Sequence, residues 1–162
     1  MAYQKLQTGG ALKVHPSATV MIPDPSTKVL SGTTTATTAN KLVDGGATFA
    51  SAGIQKNAIV YNTTDTTAAY VTAIDSDTTL SLSVDIMANA ENYVIYNRES
   101  NGCVLYVGTA GNVTVQMASD KDLKPSDNPE ITYLNVANAS FMPIQVVRVD
   151  NSTTATDIIA LW

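Results

Sequence analysis

The sequence predicts an all-β protein, and three observations carry that prediction. Of its 162 residues, 22 are Thr and 16 are Val, against only three Glu. A chain poor in straight-chain helix formers and rich in β-branched residues favours strands. Apolar residues recur at every second position, with no long stretch at helical spacing. Short clusters of turn residues also punctuate the chain at the spacing expected of a small β-sandwich or barrel.

The clearest alternation is Thr79 to Ile86, in which Leu80, Leu82, Val84 and Ile86 would face a core and Ser81, Ser83 and Asp85 water. Asn112 to Met117 alternates likewise. Further strands are expected at Leu12–Val14, Thr19–Ile22, Ala58–Tyr61, Ala69–Ile74 and Tyr93–Tyr96, then at Val104–Val107, Ile131–Val136, Ile144–Val149 and Asp157–Leu161. Asp44-Gly45-Gly46, Asn62 to Asp65, Asp75-Ser76-Asp77, Gly108 to Gly111 and Pro125 to Pro129 read as the turns between them. Ser31 to Asn40 is low in complexity and reads as a linker or a polar strand, and Asn97 to Gly102 is a second polar stretch. These composition shifts predict a discontinuous β-domain, 1–30 plus 99–162, carrying 31–98 as an inserted small β-barrel-like module.

Charge and composition narrow the function. The net charge is −5, only two of nine basic residues are Arg, and no basic patch of the kind nucleic acid requires is visible. No apolar run reaches the roughly 18 residues of a membrane helix, and the first ten residues do not read as a signal peptide. A single cysteine, Cys103, excludes an internal disulfide framework, and a single histidine, His15, excludes most multi-histidine metal sites. Four Asn-x-Ser/Thr triplets, at Asn62, Asn112, Asn138 and Asn151, are expected by chance in so Ser/Thr-rich a chain.

No group stands out as catalytic. His15, before Pro16, has no Gly-x-Ser-x-Gly nucleophile to serve. Cys103 reads as a small buried side chain at a strand start. Asp75 and Asp77 lack the other ligands of a calcium loop and suit a hairpin turn. Asp120-Lys121-Asp122 reads as a solvated loop. Gly108 to Gly111 has no Gly-Lys-Ser/Thr after it and reads as a hairpin turn rather than a phosphate cradle. No enzyme activity, cofactor or metal is expected. The last segment, Phe141–Val149 and Asp157–Trp162 around a polar turn, reads as two apolar strands ending on the only Trp. Trp162 would be buried in the core or at a subunit interface. Arg148 would need a carboxylate or carbonyl partner, across that interface if not within the chain.

Two motifs carry a resemblance. Cys103-Val104-Leu105-Tyr106-Val107-Gly108-Thr109-Ala110-Gly111-Asn112-Val113, and Pro143 to Val149 with Thr153 to Trp162, resemble the Leu-x-Val-Gly-Thr-Ala-Gly-x-Val stretch and the closing hairpin of head-spike base proteins from gene transfer agents and related tailed phages. Ala11 to Ser17 and Ile22 to Pro25 are similar to openings of virion structural proteins of marine tailed phages. Asn40 to Asp44, Ile59 to Asp65 and Val71 to Ser83 resemble a small β-module of phage structural proteins. Compact spike-base proteins lack a module at 31–98.

The resemblance implies a non-enzymatic virion protein on the capsid exterior, made in the host bacterial cytoplasm, acting as a decoration (cement) protein or head-spike base. Its partners would be copies of itself in a homotrimer, the major capsid protein and a spike or fibre protein, with neither nucleic acid nor membrane. Leu6, Leu12, Val14, Phe141, Arg148 and Trp162 are the candidate oligomer or capsid interface, with the arm Met1 to Gly10 lying across a neighbouring subunit. The alternative is a tail or fibre component binding host surface glycans, with Tyr61, Tyr70, Tyr93, Tyr96 and Tyr106 as stacking faces.

Overall fold

The computed structural model describes residues 9–124 and 127–162. The fold is all-β, 48% strand, with two antiparallel six-stranded sheets, neither closed into a barrel. Each sheet belongs to its own compact unit: residues 1–14 with 101–162, and residues 15–100.

The first unit holds β1 (Ala11–Lys13), β8 (Cys103–Thr109), β9 (Gly111–Met117), β10 (Glu130–Val136), β11 (Ser140–Val149) and β12 (Thr156–Leu161), in the order β1-β12-β8-β11-β9-β10. The two hairpins expected here do not form. β11 lies between β8 and β9, and β8 lies between β11 and β12. Turn residues say where a strand stops, but not which strand it then pairs with.

The registers also bend the sheet. The first part of β11 pairs with β8 (Ser140 with Val107, Met142 with Leu105), and its last part pairs with β9 (Val146 with Met117, Val149 with Val115). In a flat sheet these pairings would put Thr109 and Gly111 beyond opposite ends of β11, yet only Ala110 separates them. β11 therefore folds the sheet over, which is how strands turn sandwich corners. The register breaks between Met142 and Val146 and between Val146 and Arg148 are where it bends. Pro143, which cannot donate to a ladder, sits in the first break. Buried Leu105, Val107, Met142, Val113, Val115, Val149, Ile158 and Ala160 make up the unit's core.

The second unit contains β2 (Lys28–Thr33), β3 (Lys41–Val43), β4 (Ile59–Asn62), β5 (Thr67–Ile74), β6 (Thr79–Leu82) and β7 (Asn92–Tyr96), ordered β2-β7-β4-β5-β6-β3. Ser31–Asn40 divides: its first residues end β2, and only a single bridge, Ala36 to Val43, follows before β3. The hairpins at Asn62–Thr66 and Asp75–Thr78 form as expected. Asn62 Oδ1 accepts from the Thr64 and Asp65 amides in the first. One face of the sheet packs Leu42, Val60, Ala69, Val71, Leu80, Leu82, Tyr93 and Ile95 with Phe49 and Met87. The alternation from Thr79 ends early: β6 stops at Leu82 and Val84 is exposed.

Residues 15–30, expected with the outer domain, fall in this unit. Thr19–Ile22 is a strap rather than a strand, because its backbone bonds to side chains. Val20 N donates to Ser17 Oγ, and Met21 N to Tyr70 Oη at 3.0 Å. Val20 and Ile22 are buried, and His15 stacks on Tyr61 with ring centroids 4.0 Å apart. Pro23 bridges Glu99, and Ser100 N donates to the Ile22 carbonyl.

A Cβ at Gly111 would run into the Ala155 amide nitrogen and would lie 2.7 Å from the Thr154 carbonyl carbon, both backbone. Gly111→Ala should therefore cost about 1–3 kcal/mol in urea unfolding, whereas Gly9→Ala, with nothing within 4 Å of its Cβ, should stay within about 0.5 kcal/mol of the parent. Equal stability of the two variants would contradict the packing of this corner.

Burial and the Asp44 carboxylate raise the Tyr93 hydroxyl above the ordinary phenol range, and burial raises Tyr96. A raised folded-state value gives stability that is complete below the unfolded value and is lost as pH rises through the folded one. Urea stability measured against pH should hold up to about pH 10 and fall above it.

Candidate functional site

The first unit's sheet has two unlike faces around β8. Cys103, Leu105 and Val107 point into the core, and Val104 and Tyr106 point outward, half-exposed. The registers extend this outward set sideways. Phe141 pairs with Tyr106, Tyr106 with Ile159 and Ile159 with Lys13. One step along, Val104 pairs with Leu161 and Leu161 with Ala11. The result is two adjoining rows, apolar across β11, β8 and β12 in the first and across β8, β12 and β1 in the second, the first ending at β1 on Lys13. Phe141 is 44% exposed, and Ile159 and Leu161 are half-buried. A shallow hollow of about 250 Å³ lined by Ala11, Leu12, Lys13, Asp157 and Ile159 borders them. The edge strand β10, which β9 separates from these rows, exposes Ile131 (48%) and Leu134 (68%) on its own. Its register shift between Tyr133 and Val136 blunts that edge against strand addition.

The six expected interface residues separate. Leu6 lies outside the described residues. Phe141 stands in the outward rows. Leu12, half-buried, pairs with Ala160. Trp162 is half-buried; its amide donates to the Gly10 carbonyl and its carbonyl accepts from Gly9 N, which ties the chain end to the edge of β1. Val14 is 3% exposed and Arg148 1%, so neither has surface to offer a partner. The missed members, Val104, Tyr106, Ile159 and Leu161, lie in segments that the sequence does mark as strands. Which face is outward depends on the pairing.

Arg148 finds its partners inside the unit. Its Nε donates to Gln116 Oε1 at 3.0 Å, one terminal nitrogen to Asp150 Oδ2 at 3.1 Å, and the other to Glu130 Oε1. Gln116, fully buried, donates from Nε2 to the Asp120 and Leu123 carbonyls. The Asp120–Asp122 stretch is therefore part of a cap over this row of side chains, rather than only a solvated loop.

The groups with chemical potential are engaged elsewhere. Burial pushes the Cys103 thiol up to about 12, and its Sγ donates to the Val146 carbonyl. His15 Nδ1 lies 3.1 Å from the Thr67 carbonyl oxygen, so that nitrogen carries the proton. Asp75 is held below the usual carboxylate range by the Lys41 ammonium and the Ser81 hydroxyl. Among the described residues no group of three or more His, Cys, Asp or Glu is placed to hold a metal. Of the tyrosines expected as stacking faces, Tyr61, Tyr93 and Tyr96 are buried, whereas Tyr70 and Tyr106 keep exposed surface.

Removing the guanidinium would leave Glu130 and Asp150 facing each other without a cation. Arg148→Ala should cost about 3–5 kcal/mol, read as a fall in the urea midpoint. A loss below about 1 kcal/mol would show that the network is dispensable.

No protein-family model, curated protein or solved structure matches this chain.

Proposed function

We propose that this protein is a non-enzymatic virion structural component on the outside of a phage capsid, a decoration protein or head-spike base that works by self-association. The observation that carries the reading is the pair of outward apolar rows, Phe141–Tyr106–Ile159 and Val104–Leu161. Contiguous apolar surface on a β-sheet face marks a contact site. The motifs that resemble spike-base proteins, Cys103–Val113 and Pro143–Trp162, supply three of the strands carrying these rows. The resemblance gives the partners: two further copies, the major capsid protein and a spike or fibre protein. Many copies on a shell would bind by multivalency, which needs no strong single contact. The engagement of Cys103, His15 and Asp75 in structural bonds supports a role without catalysis.

Light scattering should find an oligomer, with a trimer expected. Burying a large apolar side chain contributes about 1.5–3 kcal/mol. Phe141→Asp or Ile159→Lys should therefore weaken assembly at least about tenfold while leaving the urea midpoint of the chain nearly unchanged. A parent protein that stays monomeric at high concentration and does not sediment with assembled heads would overturn the reading. Stoichiometry against the major capsid protein separates the two roles: hundreds of copies per particle for cement, tens for a spike base.

A second reading, a tail or fibre component that binds host surface glycans, is favoured by one observation. Tyr70, with its exposed surface, lines a polar hollow in the second unit together with Asn57, Asn97, Arg98 and Glu99.

A further inference from the structure

We infer that the second unit carries a binding groove for an acidic saccharide, a sugar chain bearing carboxylates. This rests on the glycan-binding reading and specifies its ligand. Two hollows of about 450 and 340 Å³ share Asn97 and Arg98 and so adjoin, and we read them together as the groove. The first also has Asn57, Tyr70 and Glu99 in its wall, and the second Ser26, Thr27, Lys28 and Gln55.

The walls are fixed before any ligand arrives. Asn97 Oδ1 accepts from Gln55 N and its Nδ2 donates to the Gly53 carbonyl, pinning the loop before β4 to the end of β7. Tyr70 Oη accepts from Met21 N and donates to Glu99 Oε1 at 2.6 Å. Thr27 Oγ1 donates to the Asp24 carbonyl and accepts from Arg98 N.

The groups left over define the ligand. The ammonium of Lys28, the guanidinium of Arg98 and the carboxamides of Gln55 and Asn57 have no partner among the described residues. The unit contains four basic residues, Lys28, Lys41, Lys56 and Arg98. Lys41 is paired with Asp75. Of the other three, two line the groove, and Lys56 stands in sequence between lining residues Gln55 and Asn57. A chain with net charge −5 thus gathers the unpaired cations of this unit at one place.

A site for a bare anion gains nothing from a carboxylate in its wall. Here the cations share the groove with Glu99, an acceptor, and with two carboxamides, which both donate and accept. A ligand that uses all of these must offer hydroxyls as well as negative charge. An acidic saccharide does: its carboxylate meets Arg98 and Lys28 in charge-assisted bonds, and its hydroxyls meet Gln55, Asn57 and Glu99. A groove rather than a pit suits a chain of sugars.

The test is calorimetric titration of the full-length protein with oligogalacturonate and N-acetylneuraminyl-lactose, beside neutral maltotetraose and lactose. One or both acidic saccharides should bind, more weakly as salt rises, and the neutral ones at least about tenfold less tightly. Arg98→Gln and Lys28→Gln, both at exposed positions, should each weaken binding about tenfold with unchanged thermal melts, and Lys13→Gln in the first unit should have no effect. Equal binding of neutral sugars, insensitive to Arg98 and Lys28, would overturn the acidic preference and leave the glycan-binding reading standing. No binding to any saccharide, here or on a broad glycan array, would overturn both.

Discussion

The guanidinium of Arg148 is the interaction on which the first unit depends. It sits at the bent end of β11 and reaches β9 through Gln116, β10 through Glu130 and the following turn through Asp150. An arginine withdrawn from water at the centre of a sheet is tolerable only if its donors are met, and a planar fork of five N–H groups meets several acceptors at once. Gln116 passes the constraint on: with its oxygen on Arg148, its nitrogen holds the carbonyls that follow β9. β9, β10 and the second half of β11 are fixed to one another, and the first half of β11 is left to pair with β8. Phe141 joins the outward rows because the first half of β11 pairs with β8.

The second unit solves a similar problem with a tyrosine hydroxyl and a carboxylate. Tyr93 Oη donates to Asp44 Oδ2 at 2.7 Å in a buried setting. The space they need is Gly32's missing side chain: a Cβ there would lie 2.6 Å from the Tyr93 oxygen and 2.7 Å from the Asp44 carboxylate. On the other face of the sheet the strap from His15 to Pro23 covers Tyr61 and supplies the Met21 amide to Tyr70. The strap thus covers apolar surface and at the same time fixes a wall of the groove.

The two units divide the proposed work by chemistry. Apolar along most of their length, the outward rows of the first suit a symmetric contact with further copies, in which the same strands meet. The groove of the second is polar, concave and locally cationic, and suits a soluble polymer. Neither depends on a reactive group. A scaffold rich in Thr, Ser and Asn fits such a role, because its side chains close turns, as Asn62 does at its hairpin, and bond across neighbouring strands, as Thr114 does with Thr132.

The sequence by itself determined the all-β class, the place of most strands and the burial of Cys103. Alternation at period two and turn residues are local signals, and strand formation responds to local signals. It also showed that Arg148 needs an acceptor, since a charge inside an apolar strand cannot go unmet. Only the tertiary structure decided which strands pair. The motifs Gly108–Gly111 and Asp150–Thr156 look like hairpin turns, yet each connects strands that a third strand separates, and no local rule encodes that insertion. Pairing in turn sets which side of a strand is outward, so Val14 went to the core while Ile159 and Tyr106 came to the surface. The groove was the least visible of all in the sequence. Its residues come from segments around positions 26, 55, 70 and 98, and only the strap and the β4–β7 pairing bring them together.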